Sequence, residues 1–379
     1  MGWEEISKAG AKAFQNGDYS EAERHFAGAV LEAKMLGPDG PQLAHAMNDL
    51  AMFYHALGRL AEAEPLYRRA ISIDEQSGVA ASPDFVVTLE NIAELYRTQH
   101  RTTEAGAMYR RAVTMSESLY RAAQAAAGDN HPDVVPHLAA LASLSEARDD
   151  LEEAETQYRR ILAIREAAME PGDVEIAGSL GRLAYVLTLR GKYEEAETLY
   201  ERALAIEETV LGPGHPDVAA TRVGLATLYH QQGRDTKAEM FGRQALAILE
   251  EALGHNHLET AAAIKTLASQ FAAQKRYAEA EPLHKRLLEI GETTLGGNHP
   301  HLVTELIDLA GLYCDREQYE KAEPLLRRAM KIAVKNSTTA DLSAVHLMEL
   351  YAWLLGKLGR TTDATEISAR AAALRAKVA

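Results

Sequence analysis

A single cysteine, Cys314, stands among 379 residues. That rules out an internal disulfide framework and a cysteine-rich zinc site. Aromatic residues make up only 6%, too few for a sheet protein built on β-branched and aromatic positions. No run of about 18 apolar residues occurs, and no charged-then-apolar leader follows Met1. A cytoplasmic chain is therefore expected. Basic residues are in deficit, 40 Lys and Arg against 55 Asp and Glu, for a net charge of −15 and a pI near 5.4. Such a surface repels phosphate backbones and anionic headgroups, so neither nucleic acid nor membrane is an expected partner. Gly-x-Gly-x-x-Gly, Walker-type, Gly-x-Ser-x-Gly and His-Glu-x-x-His motifs are absent. No enzymatic activity, cofactor or small-molecule substrate is expected.

What is present is a repeat. Ala63-Glu64-Pro65-Leu66-Tyr67-Arg68-Arg69-Ala70 returns as Ala196-Glu197-Thr198-Leu199-Tyr200-Glu201-Arg202-Ala203, and again from Ala280 and Ala322. The anchoring alanines are Ala22, Ala63, Ala105, Ala154, Ala196, Ala238, Ala280, Ala322 and Ala364, at intervals of 41, 42, 49 and then 42 throughout. Twelve residues before an anchor sits a second small residue, usually after a large aliphatic one, as in Leu50-Ala51, Ile92-Ala93, Leu183-Ala184, Leu225-Ala226 and Leu309-Ala310. Three residues further on comes Tyr54, Tyr96, Tyr229, Phe271 or Tyr313. Spacings of 3 and 4 gather these residues on one helical stripe. Each repeat thus reads as two helices approaching closely through paired alanines, with an aromatic filling the gap beside them.

Gly58-Arg59, Gly191-Lys192 and Gly233-Arg234 end the first helices, where glycine takes the left-handed conformation. Pro65, Pro282 and Pro324 are expected in about the first turn of the second helices, where a missing N–H costs little. The seven extra residues between Ala105 and Ala154, around Leu119 to Ala127, have high helix propensity and predict a second helix about two turns longer, roughly 10 Å.

A 42-residue repeat reading Ala-Glu-Pro-Leu-Tyr-x-Arg-Ala, with Leu-Gly-x-x-His-Pro-Asp at Leu211 to Asp217 between repeats, resembles the tetratricopeptide repeats of kinesin light chains and their bacterial relatives. The resemblance covers essentially the whole chain. It implies an all-α, right-handed superhelical solenoid of helix–turn–helix repeats, a single domain over 1–379. The expected divisions are 1–41, 42–83, 84–132, 133–174, 175–216, 217–258, 259–300, 301–341 and 342–379.

In solenoids of this kind the first helix of each repeat lines the concave face. Relative to its small residue, groove positions are three and two before, and one and four after. These are Asn48, Asp49, Met52 and His55, then Glu90, Asn91, Glu94 and Arg97. Later repeats supply Arg182, Tyr185 and Thr188, then Thr227 and His230, then Lys265, and finally Asp308, Glu349 and Trp353. Acidic residues dominate the two ends, and Arg182 and Lys265 stand towards the middle. A bound peptide would then be basic at its ends and acidic or polar at its centre. The resemblance adds that family members grip an extended peptide backbone with an Asn-Asn pair, of which Asn48 and Asn91 keep one member each.

The expected function is a non-enzymatic scaffold that binds a peptide or protein segment in the concave groove. The alternative is a regulatory subunit holding a separately encoded enzyme through its convex face or the long helix near Tyr120. His131, His215, His257 and His299 recur in the loops between repeats. Equivalent positions stand about 20 Å apart, two stacked helices at 8–10 Å each, too far to share one zinc ion. They are expected to bond to the next helix start, and no metal is expected. Cys314, with His346 nearby, reads as a bystander thiol. Arg222 stands where other repeats carry Leu180, Ile264 and Leu306, and it is expected either to snorkel its stem to the surface or to pair with a carboxylate such as Glu259 or Glu207.

Overall fold

The computed structural model describes residues 2–77, 82–99, 101–299, 301–336 and 342–378. Met1, Ala379 and the repeat boundaries expected at 300 and 341 lie outside them. Among the described residues there are eighteen α-helices and no strand. They run as hairpins: α1 (Trp3–Gln15) with α2 (Tyr19–Leu36), α3 (Pro41–Ala56) with α4 (Leu60–Ser77), and α5 (Pro83–Thr98) with α6 (Thr102–Ala127). After a short 3-10 turn at Pro132–Val134 come α7 (Val135–Ala147) with α8 (Leu151–Ala168), and α9 (Val174–Leu189) with α10 (Tyr193–Val210). Next are α11 (Pro216–Gln231) with α12 (Asp235–Leu253), and α13 (Leu258–Ala273) with α14 (Tyr277–Leu295). The last pairs are α15 (Leu302–Asp315) with α16 (Tyr319–Asn336), and α17 (Leu342–Lys357) with α18 (Thr361–Val378). The chain forms two compact bodies, Met1–Ala56 with Leu60–Ala263, and Ile264–Ala379 with Leu57–Arg59.

The paired alanines meet as their spacing requires. Ala51 and Ala63, Ala184 and Ala196, and Ala310 and Ala322 are all fully buried. A larger side chain there would overpack the contact, at a cost of about 1–3 kcal/mol. The turn within each hairpin is equally uniform. Among the described residues, the position five before an anchor has positive φ, as at Gly191 (74°) and Gly233 (71°). Asp149 (61°), Lys275 (59°) and Glu317 (57°) adopt the same conformation without being glycine, and their Cβ atoms strain there.

The glutamate that follows most of the anchor alanines clips one repeat to the next. Glu197 accepts from the Tyr229 hydroxyl at 2.7 Å and from Arg234 at 2.8 Å. Glu281 does the same with Tyr313 at 2.9 Å and Arg316 at 2.7 Å. Glu64 holds Arg101 at 2.9 Å, and that guanidinium lies 4.1 Å over the Tyr96 ring.

Two expectations are corrected. Pro65, Pro282 and Pro324 lie inside their helices, at the sixth residue of α4, α14 and α16. Each therefore removes one intrahelical hydrogen bond, because helices beginning at Leu60, Tyr277 and Tyr319 start earlier than the proline placement implied. Arg222 pairs with Glu208 at 2.6 Å, not with Glu207 or Glu259. Glu207 points into the interface between α10 and α11, whereas Glu208, one residue on, faces outward where the guanidinium can snorkel.

The insertion lengthens α6 to 26 residues, against 18 in α4, α8 and α10. Tyr120, on this extension, packs against the core, with Arg160 5.5 Å over its ring. Arg160 also donates to the Asp129 carbonyl at 2.7 Å.

Candidate functional site

Loop histidines start the first helices. His131 Nδ1 accepts from the Asp133 N–H at 3.3 Å, and His215 from Asp217, His257 from Glu259 and His299 from His301 in the same way, at 3.2–3.3 Å. An accepting Nδ1 requires the neutral ring. Burial, with His301 and Arg59 adding to it, pushes the pKa of His299 down to about 4.

The first body carries a cavity of about 900 Å³ at its N-terminal end. The predicted groove residues Asp49 and Met52 line it. So do Ser7, Lys8, Ala11 and Phe14 of α1, which the sequence reading did not include. These four occupy the predicted groove register, counted from Gly10, twelve residues before Ala22. The signal was therefore present. It was obscured because Gly10, not alanine, is the small residue, and a Cβ there would lie 3.1 Å from the Phe26 ring. Trp3, Phe26 and Phe53 complete an apolar floor, and Glu4, Asp84 and Glu259 join Asp49 at the rim. Glu259 reaches this rim because, within this body, the α12–α13 loop approaches the α1–α2 turn. A Cβ on Gly17 would lie 3.8 Å from His257.

Around the cavity the polar groups are tied to one another. Ser7 Oγ donates to Asp49, whose pKa burial nonetheless raises. His45 Nδ1 lies 3.2 Å from Asp84. Asp74, next to them, is pushed up to about 6 by burial and then by the charge of Asp84. A second cavity of about 220 Å³, lined by Asn48, Asp49, Met52, Asp74 and Asp84 among others, continues the surface onto α5.

Asn48 is buried at 7% exposure and Met52 is open at 44%. The Asn91 amide donates to Asn48 Oδ1 at 3.1 Å, so the two asparagines sit together. Glu90 is half-buried, and burial moves its pKa up to about 7. Burial also acts on Glu94, but the two bonds from Arg97, at 2.7 and 2.5 Å, outweigh it and hold that carboxyl below its usual range. His55 stands edge-on to Tyr67, 6.3 Å between centroids.

Further along, Arg182 and Tyr185 are exposed, and Arg182 borders a cavity of about 190 Å³ between α7 and α9. Thr188 is buried, its hydroxyl bonded back to the Ala184 carbonyl at 2.8 Å, and it does not face the groove. A threonine can satisfy its own hydroxyl on the preceding turn, which lets it pack inward. Thr227 likewise bonds Val223, at 3.0 Å, and His230 Nδ1 lies 3.3 Å from Asp235.

In the second body Lys265 donates to Glu305 at 2.8 Å and stands 3.8 Å from Asp308. Glu305 was not among the predicted residues. Burial and the neighbouring Asp315 raise the Cys314 thiol, so it is not an activated nucleophile.

The tetratricopeptide repeat family pattern matches residues 7–76, 175–251, 236–293 and 259–335. This is more than half of the chain, and the chain belongs to that family. The chain is similar to a Rap protein solved in complex with competence and sporulation factor, at 15% identity, over 97% of this chain and 99% of that one, with a TM-score of 0.52. It is also similar to BtubC (BKLC) from P. vanneervenii, at 23% identity, over 61% of this chain and 91% of that one, TM-score 0.48. A third similarity is to a Podospora anserina kinesin-light-chain protein with nearly identical TPR-like repeats, at 24% identity, over 56% and 97% of the two chains, TM-score 0.45. No curated protein matches the sequence. The fold is that of a protein-interaction scaffold, and no helix among the described residues is long and apolar enough to cross a membrane.

Proposed function

We infer that this chain is a non-enzymatic, cytoplasmic scaffold that binds a peptide or protein segment along the concave face of its N-terminal repeats. In this reading the chain is one array of nine repeats with the boundaries given above. The observation that carries it is the cavity of about 900 Å³, with a floor of Trp3, Phe14, Phe26 and Phe53 and a rim of Glu4, Asp49, Asp84 and Glu259. Concave, mostly apolar clefts with a few placed polar groups are the usual form of a binding site. The floor suits one large apolar side chain. The acidic rim, opposed by Lys8 and His45, suits Lys or Arg beside it. Nucleic acid is disfavoured by the same charge. The groove is preferred to the α6 extension because Tyr120 there is already engaged by the core and Arg160.

The test is a random-peptide display selection on the purified chain. Enriched sequences should carry a bulky apolar residue next to Lys or Arg. They should lose at least tenfold in affinity towards Met52→Arg and Asp49→Lys variants of unchanged helicity. Peptides that bind both variants as tightly as the parent would refute the assignment.

A further inference from the structure

His284 on α14 occupies the position four residues after its anchor alanine, where other repeats bury Phe26, Tyr67, Tyr109, Tyr158 and Tyr200. It is 3% exposed, and its Nδ1 is buried without a hydrogen-bond partner. Glu305 and Asp308 on α15 face it, so that one ligand atom from each of the three residues lies within 4.8 Å of the others. Glu305 stands where five other first helices carry the small residues Ala46, Thr88, Ser179, Thr221 and Ala263. Its Oε2 is buried and unpartnered. A buried imidazole with an unmet nitrogen is costly unless something completes it, and here it converges with two carboxylates.

We propose that His284, Glu305 and Asp308 form a divalent transition-metal site, with zinc as the fitting ion. One imidazole and two carboxylates, without a thiolate, suit a borderline cation, and both donor types are ordinary zinc ligands. Three protein ligands leave a fourth position open. Ligand atoms around a zinc ion stand about 3.3 Å apart, so the three side chains close by roughly 1–1.5 Å on binding. Burial keeps His284 below its ordinary pKa and therefore neutral, the form that ligates. Lys265 Nζ, 2.8 Å from Glu305 and 3.8 Å from Asp308, is the competing cation. Its side chain is 42% exposed on a flexible stem and can withdraw into solvent as the ion enters. All four residues belong to the second body, so the site is independent of the N-terminal cavity.

The experiment is calorimetric titration of the chelator-treated full chain with zinc chloride, paralleled by cobalt(II) and its visible absorption. One ion per chain with a tetrahedral cobalt spectrum is expected. His284→Tyr restores the side chain that four other repeats carry at this position, so it should fold. It should weaken binding at least thirtyfold, as should Glu305→Gln. Lys265→Met removes the competitor and should tighten binding several-fold. Zinc bound equally by parent and His284→Tyr would place the ion elsewhere, at the loop histidines, and overturn the proposal. So would absence of binding at millimolar zinc, or a Lys265→Met variant that binds more weakly than the parent.

Discussion

The side-chain amide of Asn91 donates to Asn48 Oδ1 at 3.1 Å, joining α5 to α3 across the boundary of two repeats. Asn48 also directs its Nδ2 at the Met52 sulfur, 3.5 Å away. The pair is therefore a closed local network with one buried member, and a peptide backbone that bonds either amide must first open it. Asn91→Ala leaves Asn48 Oδ1 buried without a partner and should cost about 1 kcal/mol in urea unfolding. Asn48→Ala with Asn91→Ala should cost less than the sum of the single changes. A double-mutant cycle that adds within error would show the contact to be energetically empty.

Glu281 accepts from Lys285, Tyr313 and Arg316, and these bonds hold its pKa down to about 2. A depressed carboxylate gives stability that is complete above its unfolded pKa, about 4.3, and is lost as pH falls through its folded value. Between pH 5 and 2 the parent should therefore lose roughly 1–3 kcal/mol through this residue. Glu281→Gln should be less stable at pH 7 and show a flatter acid limb. Identical acid limbs in chemical denaturation would contradict the clip.

Glu207 carries the opposite sign. It is 5% exposed, its Oε2 meets no partner, and burial raises its pKa to about 7. Here the folded state holds the proton more tightly than the unfolded one, so stability falls as pH climbs from about 4.5 to 7. The equivalent residue of the next repeat is Leu249, also buried. Glu207→Leu should stabilise the chain by roughly 1–3 kcal/mol at pH 8, little at pH 4.5, and remove part of the slope between. Glu207 also has a side-chain hydrogen bond with Thr221, which acts against burial; a destabilised variant at pH 8 would show that this bond outweighs desolvation.

The shared left-handed turn allows a matched comparison. Gly191→Ala places a Cβ in open space at φ 74°, so its cost is conformational, about 1 kcal/mol. Lys275→Gly and Glu317→Gly relieve the same strain and should stabilise by up to about 1 kcal/mol, net of glycine's entropy. Thermal unfolding of the three variants checks the ordering. Stabilisation by Gly191→Ala would refute it.

Sequence alone determined the repeat length, the pairing of helices through Ala51 and Ala63 or Ala184 and Ala196, the left-handed turns, the histidine caps and the extra length of α6. All of these follow from spacing along one chain segment, where helical period and residue conformation decide the outcome. The register proposed for the groove, counted from Gly10 as the small residue, also reaches Ser7, Lys8, Ala11 and Phe14, which line the N-terminal cavity. Tertiary structure alone decided which polar groups meet. It turned Glu207 inward and gave Arg222 to Glu208, buried Thr188, closed Asn48 on Asn91, and brought His284 of one repeat against Glu305 and Asp308 of the next. Repeat spacing says that a position faces a neighbouring helix. Burial, rotamer and the identity of the opposing side chain decide whether a charge there is paired, neutralised or left open to a ligand.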